Sequence, residues 1–233
     1  MGQLNAKYGS ELHLLRWLGL HRDDLTKKVE DKTGITDVKW MQFEFSNGGQ
    51  KYDAELRKLN FLESCDYERV LSMYFNPINP NWDAVAIGKR NGHKCYVLIE
   101  AKAHSGEIAD DSMHGGESHD AIRDVLASTA KEITGVENLG NVWIGKYYQM
   151  ANRLYVQKIL EDCGIDSIQV NIYFCGDRHD GVNCPVDKSG WADAIGDEIS
   201  ELKLDTDKAT VFMDRHYREL YIDVCSNRDM DVE

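Results

Sequence analysis

The chain has 233 residues, enough for one substantial hydrophobic core, and it carries 27 Lys and Arg residues against 40 Asp and Glu residues. Its formal net charge of -13 at pH 7 opposes general adhesion to nucleic acid, so a phosphate-bearing substrate would need a local basic patch or a bound metal. The sequence contains no apolar run of about 18 residues and no charged-then-apolar leader, which predicts a cytoplasmic protein without a membrane span.

Amphipathic patterns in the first third of the chain predict helices and short strands. The first helix has Ser10 as its expected N-cap and carries Glu11 on the same stripe as Leu14 and Leu18. The predicted elements are, in order, a helix over 10–20, a helix over 23–31, a strand over 38–45, a helix over 52–62 and a strand over 69–75. We expect residues from about 22 to 65 to elaborate on the core of a single domain that spans residues 1–233.

An Asn-Gly pair joins the two strand-like runs 83–90 and 93–100. Asn-Gly is the strongest short hairpin signal, because a type I′ turn needs positive φ at both central residues and fixes the register of the strands. This register predicts that Asp83 lies directly opposite Glu100. Like charges placed there are destabilising, so the sequence predicts a compensating divalent cation.

The rest of the chain predicts alternating helices and strands. A polar loop is expected over 104–116, helices over 120–133, 146–162 and 191–202, and strands over 167–174 and 219–224. The strand over 167–174 alternates apolar and polar residues, which is typical of a sheet with one more polar face. The order of elements predicts an α/β fold, with an α+β mixed sheet.

The triplet Glu100-Ala101-Lys102 closes the second hairpin strand. Strand alternation puts Glu100 and Lys102 on the face that carries Asp83. Other acid-x-Lys triplets occur over 30–32, 37–39 and 201–203, but none of them ends an apolar strand with an acid placed opposite by a turn. The alternative interpretation is an ionic cluster at a strand end, which would leave two acids sharing one base.

These residues resemble the PD-(D/E)XK nuclease superfamily, in which an acid begins the second core strand and an acid-x-Lys triplet ends the third. Here Asp83 and Glu100-Ala101-Lys102 match by position, although Pro80 stands three residues before the acid instead of adjacent to it. The resemblance implies a restriction-endonuclease-like αβββαβ core over residues from about 10 to 174, with a helical and strand insertion after the first helix.

The resemblance also implies a function, a metal-dependent hydrolysis of phosphodiester bonds in nucleic acid. Asp83 and Glu100 would bind Mg²⁺ or Mn²⁺ with the carbonyl of Ala101, and Lys102 would assist an activated water. We expect nucleic acid as the partner, DNA before RNA, and no membrane; the oligomeric state, including a homodimer, stays open. The competing hypothesis is a non-catalytic binding or protein-interaction module that retains the fold, and a hydrolase of a small phosphoester is a third.

Further residues are assigned to the site through the same resemblance. Glu11 corresponds to a glutamate that many members add from the first helix, although an acid just after an N-cap is also favoured by the helix dipole. Gln149 and Arg153 share one face of the predicted helix over 146–162 and would touch phosphate or water, or else face solvent. His104 follows Lys102 on the same face and is a candidate to bind the scissile phosphate.

Overall fold

The chain folds into helices and strands in mixed order, and a computed structural model describes residues 9–41, 56–57, 59–74, 78, 80–109, 118–178 and 181–224. The α-helices are α1 (Ser10–Leu20), α2 (Arg22–Thr33), α3 (Ser64–Leu71), α4 (His119–Thr134), α5 (Gly140–Trp143), α6 (Tyr148–Asp162), α7 (Lys188–Glu201) and α8 (Asp207–His216). The strands are β1 (Thr36–Trp40), β2 (Leu56–Arg57), β3 (Asn81–Trp82), β4 (Ala84–Arg90), β5 (His93–Lys102), β6 (Ser167–Cys175) and β7 (Tyr217–Asp223). None of these helices is long and apolar enough to cross a membrane.

A five-stranded mixed sheet, in the order β1-β4-β5-β6-β7, forms the centre of the fold. β4 is antiparallel to both of its neighbours, β1 and β5, whereas β6 is parallel to β5 and β7 is parallel to β6. The helices α1 and α2 pack on one face, and α4, α6, α7 and α8 pack on the other. The predicted mixed α/β architecture is therefore confirmed, and β6 is buried at all nine of its positions because both faces of the sheet are covered.

The β4–β5 hairpin has the turn that the sequence predicts. Asn91 has φ 53° and Gly92 has φ 81°, both in the left-handed region that a type I′ turn requires. The ladder then pairs Arg90 with His93 and continues without a shift to Ala84 with Ile99. A two-residue turn thus sets the register of the whole hairpin up to the end where Asp83 follows.

Most predicted elements agree with the structure, with small differences at their ends, and β1, within the segment expected to elaborate on the core, is a strand of the central sheet. The N-cap of α1 is Gly9, so Ser10 is the first residue of the helix, and its hydroxyl donates to Glu107 (3.1 Å). The strand predicted over 38–45 begins at Thr36 and ends at Trp40, and its last four positions lie outside the described residues. The loop predicted from His104 begins with a short 3-10 helix, and its later part also lies outside them.

Two predictions between residues 52 and 75 are wrong. A helix was expected over 52–62, but its described residues form strand β2 and a turn, and positions 52–55 and 58 lie outside the described residues. A strand was expected over 69–75, but helix α3 continues to Leu71, and position 75 also lies outside the described residues. In α3 the buried residues are Asp66 and Val70, which are four positions apart. Burial along this segment therefore follows the period of a helix. The short helices α5 and α8 were not predicted.

Candidate active site

Glu100 and Lys102 lie at the end of β5, on the sheet face that packs against α6. Leu98 shares this face, whereas Ala101 points to the opposite face, toward α1. Both charged residues are buried, with only 4% and 7% of their surface exposed. Charged groups at this depth are stable only when they are paired, so their partners define the site.

Asp83 reaches the same cluster from the residue before β4. Its peptide N–H donates to the carbonyl oxygen of Ile99 (3.1 Å), which is already the ladder partner of Ala84. Two residues of one chain segment therefore oppose one residue of β5, as in a β-bulge. This corrects the predicted register: Asp83 lies outside the ladder and is not paired directly with Glu100.

The bulge directs the Asp83 carboxylate at the backbone of β5. Its Oδ2 atom accepts a hydrogen bond from the N–H of Ala101 (2.7 Å). Burial and, next, the neighbouring charge of Glu100 raise the pKa of Asp83 to about 8, against the attraction of Lys102 and Arg153. The cluster as it stands therefore keeps a proton on Asp83 at neutral pH.

Glu100 has both carboxylate oxygens engaged. Its Oε2 atom accepts from Nε (3.0 Å) and Nη2 (2.8 Å) of Arg153, and its Oε1 atom lies 2.8 Å from Nζ of Lys102. Burial disfavours the charged form, but the charges of Arg153 and Lys102 hold the pKa of Glu100 below its usual value. For Lys102, Glu100 and Asp83 outweigh burial and raise the pKa. Glu100 and Lys102 are therefore an ion pair.

Helix α6 supplies the two polar partners that share one of its faces. Gln149 accepts a hydrogen bond from Lys102 through Oε1, and Arg153 lies one helical turn later. Besides Glu100, Arg153 binds the side chain of Asn152 (2.9 Å) and the carbonyl of Asn81, and its guanidinium lies 5.5 Å from the centre of the Trp82 ring. Only 4% of Arg153 is exposed. The predicted alternative in which Arg153 faces solvent is therefore wrong.

Beneath Lys102, a cavity of about 10 Å³ has room for roughly one water molecule. It is lined mainly by polar side chains: Glu100, Lys102, Gln149, Gln169, Asn171 and Glu198. The polar face predicted for β6 is real, but it is buried in this cavity, where Gln169 donates to Asn171 (2.7 Å). The Oε1 atom of Gln169 is buried without a hydrogen-bond partner.

Glu198 is a buried acid of α7 that sequence reasoning did not assign to the site. It is 5% exposed, and burial raises its pKa to about 8, with Lys102 lowering it and Glu100 raising it. A signal for it exists in the sequence, because Trp191, Ile195 and Glu198 share one helical stripe and the first two are core residues. Glu11 shows the same pattern in the first helix, an acid on an apolar stripe.

The two raised pKa values predict how stability depends on pH. In the folded protein Asp83 and Glu198 keep protons that the unfolded chain releases near pH 4. Their contribution to the stability of the folded state is therefore complete below about pH 4, and it is lost as the pH rises through 8. Each carboxyl should lower the free energy of unfolding by up to about 1.4 kcal/mol per pH unit in this range. Urea unfolding at several pH values measures the slope, and Glu198→Gln, which cannot ionise, should flatten it. An unchanged slope in this variant would contradict the assignment.

Glu11 and His104 are not brought into this cluster. Glu11 is exposed, and its helix packs on the sheet face opposite to Glu100. His104 lies 3.5 Å from Glu107 through Nε2, and the Glu107 carboxylate accepts from Ser10 at the start of α1. The structure thus gathers five of the seven predicted site residues, namely Asp83, Glu100, Lys102, Gln149 and Arg153.

A second acidic group lies on the surface, away from this cluster. Glu63, Cys65 and Asp66 have ligand atoms within 4.8 Å of one another, and in the described part of the chain they are the only such group of three. The ammonium of Lys94 already binds both acids, at 2.7 Å from Glu63 and 2.6 Å from Asp66. Arg69 lies 3.5 Å from Asp66, so Lys94 and Arg69 together neutralise the two carboxylates.

The chain was compared with protein-family models, with curated proteins and with solved structures. None of the three comparisons found a match. The buried cluster and its geometry are therefore the structural evidence for a function.

Proposed function

We propose that the chain is a metal-dependent nuclease that hydrolyses phosphodiester bonds of nucleic acid, on a restriction-endonuclease-like core. The observation that carries the proposal is the convergence of Asp83, Glu100 and Lys102 at one end of β5. Gln169 and Asn171 of β6 add buried polar groups beside them, and this many ionisable side chains in one buried cluster are typical of a functional site.

The order and direction of the elements support this fold. Helix α1 precedes β1, β4 and β5, which form an antiparallel series, and α6 then leads to β6, which is parallel to β5. These elements follow the αβββαβ order that the sequence resemblance implies, and the other elements lie between its parts: α2, β2, α3 and β3 before β4, and α4 and α5 before α6. Gln149 and Arg153 come from α6, the helix that directly precedes β6.

The charges of the cluster fit a divalent cation. Asp83 and Glu198 keep their protons in the cluster as it stands. If a cation displaced both protons, the three carboxylates of the cluster would face two cationic side chains, Lys102 and Arg153, with one negative charge in excess. Asp83 and Glu100 would hold the cation, because carboxylate oxygens are the ligands that Mg²⁺ and Mn²⁺ prefer. A bound cation would supply activation of a water molecule and stabilisation of charge on the phosphate.

The protein's own groups would then have defined tasks. Arg153 holds the Glu100 carboxylate in one orientation through two hydrogen bonds to Oε2. Gln149 holds the Lys102 ammonium, which would orient the attacking water or neutralise charge that develops on the phosphate. With a divalent cation the cluster would carry one positive charge, which matches the single negative charge of a phosphodiester. This local match would compensate for the net charge of -13.

A cleavage assay tests the proposal. Single-stranded and double-stranded DNA and RNA are each incubated with the protein, with Mn²⁺ or with a chelator. We expect Mn²⁺-dependent cleavage of at least one of them, DNA first, and none with Asp83→Asn, which keeps an acceptor for Ala101 but lacks the charge. The matched control is Asp166→Asn, because Asp166 pairs with Arg90 (3.0 Å) at the opposite end of β6. Cleavage by Asp83→Asn at the wild-type rate would defeat the proposal.

A specific observation favours a second candidate, a non-catalytic binding module. Both oxygens of Glu100 are engaged by Arg153 and Lys102, so the ion pairs are complete without a metal. Calorimetric titration with Mn²⁺ discriminates the two candidates. Binding that is lost in Asp83→Asn supports the nuclease, and the absence of binding to the wild-type protein at millimolar Mn²⁺ supports the binding module.

A further inference from the structure

The two oxygens of Glu100 are held unequally. Oε2 accepts two hydrogen bonds from the rigid guanidinium of Arg153, whereas Oε1 is held only by the Lys102 ammonium at 2.8 Å. A cation shared by Asp83 and Glu100 would therefore take Oε1, because the single flexible lysine is easier to displace than the fork of the arginine. The ammonium would also be repelled by the cation, so Lys102 must leave Glu100 when the cation binds.

A lysine that leaves its partner at this depth needs another counter-ion. Lys102 is 7% exposed, and removing one partner of a buried ion pair is strongly destabilising because the remaining charge stays buried without compensation. The new partner must lie within reach of a side chain that stays in the cavity. It must also have an acceptor that is not already used.

Glu198 meets both requirements. It lines the cavity that Lys102 lines, and the charge of Lys102 already acts on it. It is 5% exposed, and no other described residue forms a hydrogen bond with its carboxylate. Beside it, the Oε1 atom of Gln169 is a second buried acceptor without a partner. The cavity of about 10 Å³ has the room of one water molecule, which is also about the size of an ammonium group.

We infer that Glu198 is the second counter-ion of Lys102, and that the ammonium moves from Oε1 of Glu100 to Glu198 when a divalent cation occupies Asp83 and Glu100. The inference rests on the proposed function. Gln149 remains a neighbour of the ammonium in both positions, and Gln169 contributes the additional acceptor. Glu198 is thus a positioning residue, since it acts on the reaction through Lys102.

Mn²⁺ binding in four proteins tests the inference without any activity measurement. Calorimetry compares the wild-type protein with Glu198→Gln, Lys102→Met and the double variant. Glu198→Gln alone should weaken Mn²⁺ binding by about 10- to 100-fold, the usual effect of losing an outer partner of a metal site. Lys102→Met should tighten binding, because no ammonium competes for Oε1. In the Lys102→Met background Glu198→Gln should have little effect, because no lysine needs the second counter-ion.

Two further variants make the outcome specific. Glu219→Gln removes a nearby acid that accepts from Tyr221 (2.7 Å), and it should leave Mn²⁺ affinity unchanged. Glu198→Asp keeps the charge on a shorter side chain and should bind Mn²⁺ with intermediate affinity. Equal weakening by Glu198→Gln in both Lys102 backgrounds would overturn the inference while leaving the nuclease proposal intact. Failure of the wild-type protein to bind Mn²⁺ would instead refute the proposed function, and the inference with it.

Discussion

Lys102→Met should greatly slow Mn²⁺-dependent cleavage while the protein stays folded. The methionine side chain has a similar length but lacks the ammonium, which in the structure is directed at Oε1 of Glu100 and at Gln149. A positioned group that assists proton transfer contributes about 10²- to 10⁴-fold to a rate, so we expect a loss of that size. The cleavage rate at saturating Mn²⁺ is the measurement, because this condition separates the loss of chemistry from any change in metal affinity.

The matched control for this prediction lies on the same strand. Lys94 is also a β5 lysine paired with acids, Glu63 and Asp66, but it lies near the hairpin turn and is more exposed. Lys94→Met should retain the wild-type cleavage rate. A rate for Lys102→Met within about tenfold of the wild type, less than proton-transfer assistance usually contributes, would remove Lys102 from the chemistry.

Arg153→Met should be the most destabilising of the substitutions considered. It removes both hydrogen bonds to Oε2 of Glu100 and leaves a carboxylate that is only 4% exposed with Lys102 alone. Breaking a buried ion pair by removing one partner costs about 3–5 kcal/mol, because the remaining charge stays buried. Urea unfolding in the presence of a chelator should therefore show a lower free energy of unfolding by that amount.

Adding Mn²⁺ provides a second readout for Arg153→Met. A cation that binds Asp83 and Glu100 in the folded state would neutralise the buried charge that has lost its partner, and it would raise the unfolding free energy by mass action. Arg123→Met is the control, because Arg123 pairs on the surface of α4 with Asp120 and Asp124, and such pairs contribute only about 0–1 kcal/mol. Equal stability losses for the two variants would contradict the role of Arg153 as the partner of Glu100.

The sequence predicts the parts of the fold that depend on local signals. Asn91 and Gly92 determine a turn by their own conformational preferences, and the register of seven residue pairs follows from it. Helix α1 and strand β6 follow from their periods. The segment around β2 was predicted poorly, because β2 is only two residues long and pairs with β3, which lies far along the chain. Such pairing is determined by tertiary contacts and leaves no period to detect.

The site could be predicted only in part for the same reason. Asp83, Glu100 and Lys102 are brought together by one hairpin, so a local turn is sufficient to find them. Glu198 meets Lys102 only after α7 packs on the sheet, and its sequence signal is a single acid on an apolar stripe. That signal is ambiguous, because Glu11 shows the same pattern and is exposed. Packing decides which of the two acids is buried.

The type I′ turn determines how the chain responds to an inserted residue. Surface loops usually accept insertions, because each added residue costs little closure entropy. At Asn91-Gly92 one added residue would enlarge the turn, because the buried faces of β4 and β5 hold the register of the hairpin. A slip of β4 by one residue would instead move every side chain of β4 to the other face, and it would point the carboxylate of Asp83, roughly 24 Å away along seven residues of strand, away from Glu100. The cluster is therefore expected to survive an insertion in the turn, but not a shift in the pairing of the strands.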